Sequence, residues 1–169
     1  MKYFLLDINR NLITAPRIIN SFGVINKKDI NLKNHKAIDK RNLLHLESNS
    51  DTVFTGVITR PFFLLSEKLF DITKKYEPNI ISKQIILLDV ENKVSKLYYM
   101  PILTRANCVV DKGTNSLARP VLNSKKLPTK SIFWLKGLDS NLPVVRLDIA
   151  ESFLRREERG VNLIPLEIE

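Results

Sequence analysis

The chain has 169 residues, 44% of them apolar and 27% charged, with a formal net charge of +9. A chain this long buries roughly 70% of the surface its unfolded form exposes, so it folds without disulfide or metal staples. The single cysteine, Cys108, excludes an intramolecular disulfide and a multi-cysteine metal site, and no run approaches the ~20 apolar residues of a membrane span.

The opening MKYFLLDINR has too short an apolar run for a signal-peptide core, so the expected compartment is the cytoplasm, without membrane contact. Lys2 to Leu6 reads as a strand apolar on both faces, which predicts a place inside a sheet. From Asn9 to Asn49 the pattern is irregular, and only Arg17 to Asn20 and Asn42 to Leu46 read as short ordered elements. Thr52 to Thr59, TVFTGVIT, is β-branched apart from Phe54 and Gly56 and predicts a strand, with the glycine at a bulge or close approach.

A helix follows, with Pro61 in its first turn or Ser66 as its cap. Leu65, Leu69, Ile72 and Tyr76 form one apolar stripe, while Lys68, Asp71, Lys74 and Lys75 face away. Pro78 ends it, because the residue before a proline is disfavoured in helical geometry. Lys83 to Asp89 and Val94 to Met100 predict a hairpin that turns at Val90 to Lys93. Thr104 to Pro128, with Asp111, Gly113, Asn115 and Pro120, reads as loop interrupted by a short strand around Cys108 to Val110. Ser131 to Leu135 is another expected strand, closed by Gly137.

The chain ends in a strand, helix, strand unit, VVRLDIAESFLRREERGVNLIPLEIE. Val144 to Leu147 is its strand, Asp148 the expected N-cap, and Glu151 completes a capping-box pair. Ile149 with Phe153 and Ala150 with Leu154 stack at i, i+4 spacing, and Gly160 is placed as a left-handed cap. Ile164, Leu166 and Ile168 predict a final strand with one buried face, and Pro165 puts it at an edge. No repeat or linker divides the sequence. The expected architecture is one α+β domain over residues 1–169, a mixed or mainly antiparallel sheet with two or three helices packed on it.

No catalytic site assembles from these residues. His35 and His45 are ten positions apart with no cysteine near, so neither a metal site nor a bound cofactor is expected. Ser66, Ser131, Ser152 and Cys108 lack the base and strained glycine turn of a nucleophile, and five glycines provide no phosphate-cradling loop. Asp89, Glu91 and Lys93 have the acid, spacer, lysine pattern of a metal-dependent nuclease core, yet the same residue types make a hairpin turn. Arg155, Arg156 and Arg159 cluster near a helix end, and Lys27–Lys28, Lys74–Lys75 and Lys125–Lys126 are further basic pairs that suit nucleic acid. Glu151, Glu157 and Glu158 interleave with those arginines, so the local field is mixed rather than a basic stripe. Trp134, the only tryptophan, is either an interface anchor or a packing residue.

The strand MKYFLL, the block ITRPFFLLSEKLFDITKKYEPN, the hairpin IILLDVENKVSKLYYMPIL, the segment SIFWLKGL and the ending VVRLDIAESFLRREERGVNLI together resemble immunity family eleven of bacterial polymorphic toxin systems. The resemblance implies an α+β fold and a non-enzymatic protein that neutralises a cognate toxin domain by direct contact. It carries over no catalytic residues. Arg155, Arg156, Arg159 and Trp134 are the candidate partner-binding residues, chosen for charge and size. A +9 chain is poorly suited to mimic nucleic acid, so the expected toxin has an acidic contact surface.

Overall fold

The computed structural model describes residues 1–111, 119–138 and 142–169. In chain order the strands and helices are β1 (Tyr3–Ile8), β2 (Arg41–His45), β3 (Val57–Ile58), β4 (Leu64–Ser66), α1 (Glu67–Tyr76), β5 (Ile81–Asp89), β6 (Val94–Ile102), β7 (Arg105–Ala106), β8 (Val109–Asp111), β9 (Val121–Leu122), β10 (Ile132–Leu135), β11 (Val144–Arg146), α2 (Leu147–Leu154), β12 (Val161–Pro165) and β13 (Glu167–Ile168). The fold is α+β, but more of it is sheet than a single sheet beneath two or three helices. The strands form one sheet in the order β12-β1-β11-β10-β7, a second in the order β2-β5-β6-β4-β3, and a small one in the order β13-β9-β8. Most pairings are antiparallel; β2 with β5, β7 with β10 and β9 with β13 are parallel.

The two larger sheets share a topology that the sequence does not display as a repeat. In one, a β3-β4 hairpin leads into α1 and then β5, and β4 lies between β3 and β6. In the other, a β10-β11 hairpin leads into α2 and then β12, and β11 lies between β10 and β1. The first strand of the chain thus takes the place that β6 holds in the other half. Leu65, Leu69 and Phe70 in one unit correspond to Val145, Ile149 and Ala150 in the other, and all six enter the same core.

That central core lies between the two sheets and is filled from both helices by Leu69, Phe70, Ile72, Ile149 and Phe153, with Leu6, Leu65, Ile132 and Val145 from the strands. Side chains alternate across a strand, so each sheet must cover a second face as well. Tyr3, Phe133 and Val144 point away from the helices onto Cys108, Leu122 and Leu166 near the small sheet. On the outer face of the other sheet, Leu44, Leu64, Ile85, Leu87, Tyr98 and Met100 are covered by Ile25 and Ile38 of the N-terminal lobe. A fully buried Leu or Phe in such a core contributes ~1.5–3 kcal/mol.

The interior position of β1, the β5–β6 hairpin, the elements near Ile18 and Leu46, and the strand after Ser131 are observed where the sequence predicts them. Several expectations are corrected. Of TVFTGVIT only Val57–Ile58 is strand. The rest takes its hydrogen bonds elsewhere: the Thr55 hydroxyl donates to the Val57 carbonyl, Tyr98 donates to the Thr55 carbonyl, and the Gly56 N–H donates to the Arg159 carbonyl. Pro61 is not in α1; Ser66 is the cap, its hydroxyl accepting from the Leu69 N–H at 3.4 Å.

Asp148 is not the cap of α2. The cap is Arg146, and Asp148, in the first turn, instead accepts a bidentate pair of bonds from its guanidinium at 2.9 and 2.7 Å. Gly160 is left-handed at φ 81, but α2 ends at Leu154, so this glycine turns the chain into β12 rather than capping the helix. The final strand also divides. β12 is the edge strand of its sheet, as Pro165 suggests, but at Leu166 the chain leaves it, and β13 pairs with β9 of the small sheet. The turn residues Gly113 and Asn115 lie outside the described residues; on either side of them the expected loop holds β8, where a short strand near Cys108 to Val110 is predicted, and also β7 and β9.

Candidate cationic groove between the helices

α1 and α2 lie side by side and antiparallel, held at both ends by polar contacts. At one end Tyr76, the last residue of α1, shares a 2.7 Å hydrogen bond with the Ser152 hydroxyl and donates to the Asp148 carbonyl at 3.1 Å. At the other, Lys68 in the first turn of α1 pairs with Glu158, beyond the end of α2, at 3.2 Å. The apolar stripe of each helix enters the central core, which leaves the polar stripes to flank an open groove of about 830 Å³. Lys68, Asp71, Ile72, Lys74 and Lys75 line one wall, and Arg155 and Arg156 the other.

The charges in this groove are unequal. Lys68 is paired with Glu158, and Lys74 is hydrogen-bonded to Asp71 at 2.8 Å, a bond that raises the lysine pKa above its ordinary value. Lys75, Arg155 and Arg156 have no ion partner among the described residues. All three are exposed, and the two arginines follow directly on α2, where the helix dipole favours positive charge. A rigid frame thus presents three uncompensated cations on one concave surface, an arrangement that attracts anions.

The frame is anchored by a buried carboxylate. Glu77, which caps the C-terminus of α1, reaches across to the start of β10 and accepts from the Ser131 N–H at 2.6 Å, the Ser131 hydroxyl at 2.9 Å and Lys130 at 2.8 Å. Burial alone would push its pKa up; the Lys130 bond and the two Ser131 donors outweigh that and hold the carboxyl below its usual range. A second lock is the Arg146–Asp148 pair, in which the guanidinium lowers the Asp148 pKa.

The four residues singled out by charge and size do not share a surface. Arg155 and Arg156 face the groove. Arg159 is exposed but outside its lining, and its carbonyl receives the Gly56 N–H. Trp134 is half-buried against the central core, edge-on to Phe63 with ring centroids 5.7 Å apart. Lys68 and Lys75 complete the groove; their spacing on the polar face of α1 was visible in the sequence, but their partnership with α2 depends on how the helices pack.

Asp89, Glu91 and Lys93 form the β5–β6 turn. Asp89 is buried and accepts from the Asn92 N–H at 3.1 Å, the Asn92 amide at 2.8 Å and the Ser48 hydroxyl at 3.0 Å, and the Asn92 bonds lower its pKa. Lys93 is left-handed at φ 53, and Glu91 is exposed. His35 lies in a short 3-10 turn and His45 at the end of β2. Among the described residues no three His, Cys, Asp or Glu side chains come together to hold a metal ion, and no helix is long and apolar enough to cross a membrane.

Fold and groove define an α+β protein with a cationic interhelical surface. No protein-family model and no curated protein matches the chain.

Proposed function

We propose that the chain is a non-enzymatic binding protein of the immunity type, which neutralises a bacterial toxin domain in the cytoplasm by setting the α1–α2 groove against an acidic patch on it. The observation that carries this reading is the grouping of Lys75, Arg155 and Arg156, each without an ion partner among the described residues, on one groove held by two packed helices. Exposed ion pairs contribute only ~0.2–1 kcal/mol each, so their role is to steer encounter and select the partner, while neighbouring apolar contact provides most of the affinity. Leu154, more than half exposed beside the arginines, offers such contact.

The interleaved acids count against a nucleic-acid groove. Asp71 lies in the lining and Glu158 beside it, where a phosphate backbone would meet carboxylates. The test is co-expression of the chain with the product of an adjacent toxin-like reading frame. Restored growth with the intact chain, and its loss with Arg155→Glu/Arg156→Glu at equal protein level, is the expected result. Failure to protect, or tight duplex binding that weakens steeply with salt, would overturn the reading.

A further inference from the structure

The second sheet has two faces, and the cationic groove lies on the α1 side. Over the other face the turn at residues 21–24 and two 3-10 turns, Lys27–Asp29 and His35–Ala37, leave a cavity of about 790 Å³. Val24, Ile25, Ile38 and Phe62 provide its apolar lining, and Lys27 and Lys28 stand at its mouth. Its size is that of a site able to enclose a small ligand or a few side chains.

Two features point to the chemistry of an occupant. Phe22 is 100% exposed beside the cavity, at a tight turn made by Gly23 at φ 82, and Val24 is 43% exposed. Apolar side chains held in water on a defined turn mark a contact surface. Lys27 and Lys28 are exposed and without ion partners among the described residues, and Asp29 is the only carboxylate in the lining.

We propose that this cavity docks a segment of a partner protein that carries one large apolar residue flanked by acidic ones. The apolar residue enters between Phe22 and Phe62, and its acidic neighbours meet Lys27 and Lys28. A bilayer would reach Phe22 and Val24 but leave the floor at Ile38 and Phe62 empty. A second copy of this chain would bring another cationic rim and a net charge of +9 against the first. The site lies across the sheet from the α1–α2 groove, so it stands or falls separately from the toxin-binding reading.

The test uses the full chain and three probes: a labelled peptide with one Phe between paired Glu residues, its counterpart with Lys for Glu, and phosphatidylcholine vesicles containing about 30% phosphatidylserine. The acidic peptide is expected to bind and the basic one not. Lys27→Glu/Lys28→Glu and, separately, Ala37→Trp, which places bulk at the lining, should each weaken binding by about tenfold or more with the unfolding midpoint unchanged. Because both sites of change are exposed, two independent variants report on the cavity. Equal binding of the two peptides, binding untouched by either variant, or binding of vesicles without the acidic peptide would overturn the proposal.

Discussion

Replacing Glu77 with Ala should destabilise the fold by about 2–4 kcal/mol at neutral pH. Ser131 is 1% exposed, and its N–H and hydroxyl both donate to the same Glu77 oxygen, at 2.6 and 2.9 Å. Without that oxygen the buried N–H is left unsatisfied, a cost of ~1–3 kcal/mol, and the hydroxyl adds less because it can rotate toward another acceptor. The half-exposed Lys130 contributes ~0.5 kcal/mol. Because the folded-state pKa of Glu77 is lowered, its contribution is fully present above the unfolded glutamate value of about 4.3 and is lost as pH falls through the folded value. Urea unfolding followed by Trp134 fluorescence should therefore show a constant gap between wild type and variant from about pH 5.5 to 7.5, narrowing below about pH 4. A neutral-pH gap under ~0.5 kcal/mol, or one that widens in acid, would refute the argument.

Two further stability and reactivity tests follow from close contacts and burial. Gly160→Ala combines a left-handed backbone with a Cβ that would lie 2.7 Å from Thr55 Cγ2, so a loss of ~2–3 kcal/mol in thermal or urea unfolding is expected and an unchanged midpoint would contradict it. Cys108 is fully buried and burial pushes its thiol pKa up, so iodoacetamide at about pH 8 should alkylate the native protein at least ~100-fold more slowly than the urea-unfolded chain. Equal rates by mass spectrometry would place the thiol at the surface.

Strong local patterns were legible in the sequence. The β5–β6 hairpin, with two β-rich runs around a polar turn, and β1, apolar on both faces, form where their residues predict. TVFTGVIT was misleading because β-propensity reports a fit to a pleated surface, whereas Gly56 is pressed against Leu69 and Glu158 and its neighbours bond to loops. Asp148 looked like a helix cap because cap chemistry is local, but the helix starts directly after Arg146, so the Asp148 carboxylate lies in the first turn, where it accepts from the Arg146 guanidinium and the Ile149 N–H. The break at Leu166 was hidden because alternation continues through it while the pairing partner changes. Half of the groove was visible as Arg155 and Arg156. The other half belongs to α1 and depends on an antiparallel helix packing that no single segment encodes.

The most direct test of the proposed function is the association rate of the chain with the product of any adjacent toxin-like reading frame, for wild type and Arg155→Glu/Arg156→Glu at low and high salt. An electrostatically steered groove predicts a rate about tenfold or more slower for the variant at low salt, with the difference shrinking toward ~0.5 M salt as the charges are screened. Rates indifferent to both salt and charge reversal, or a partner whose contact surface is basic, would contradict it.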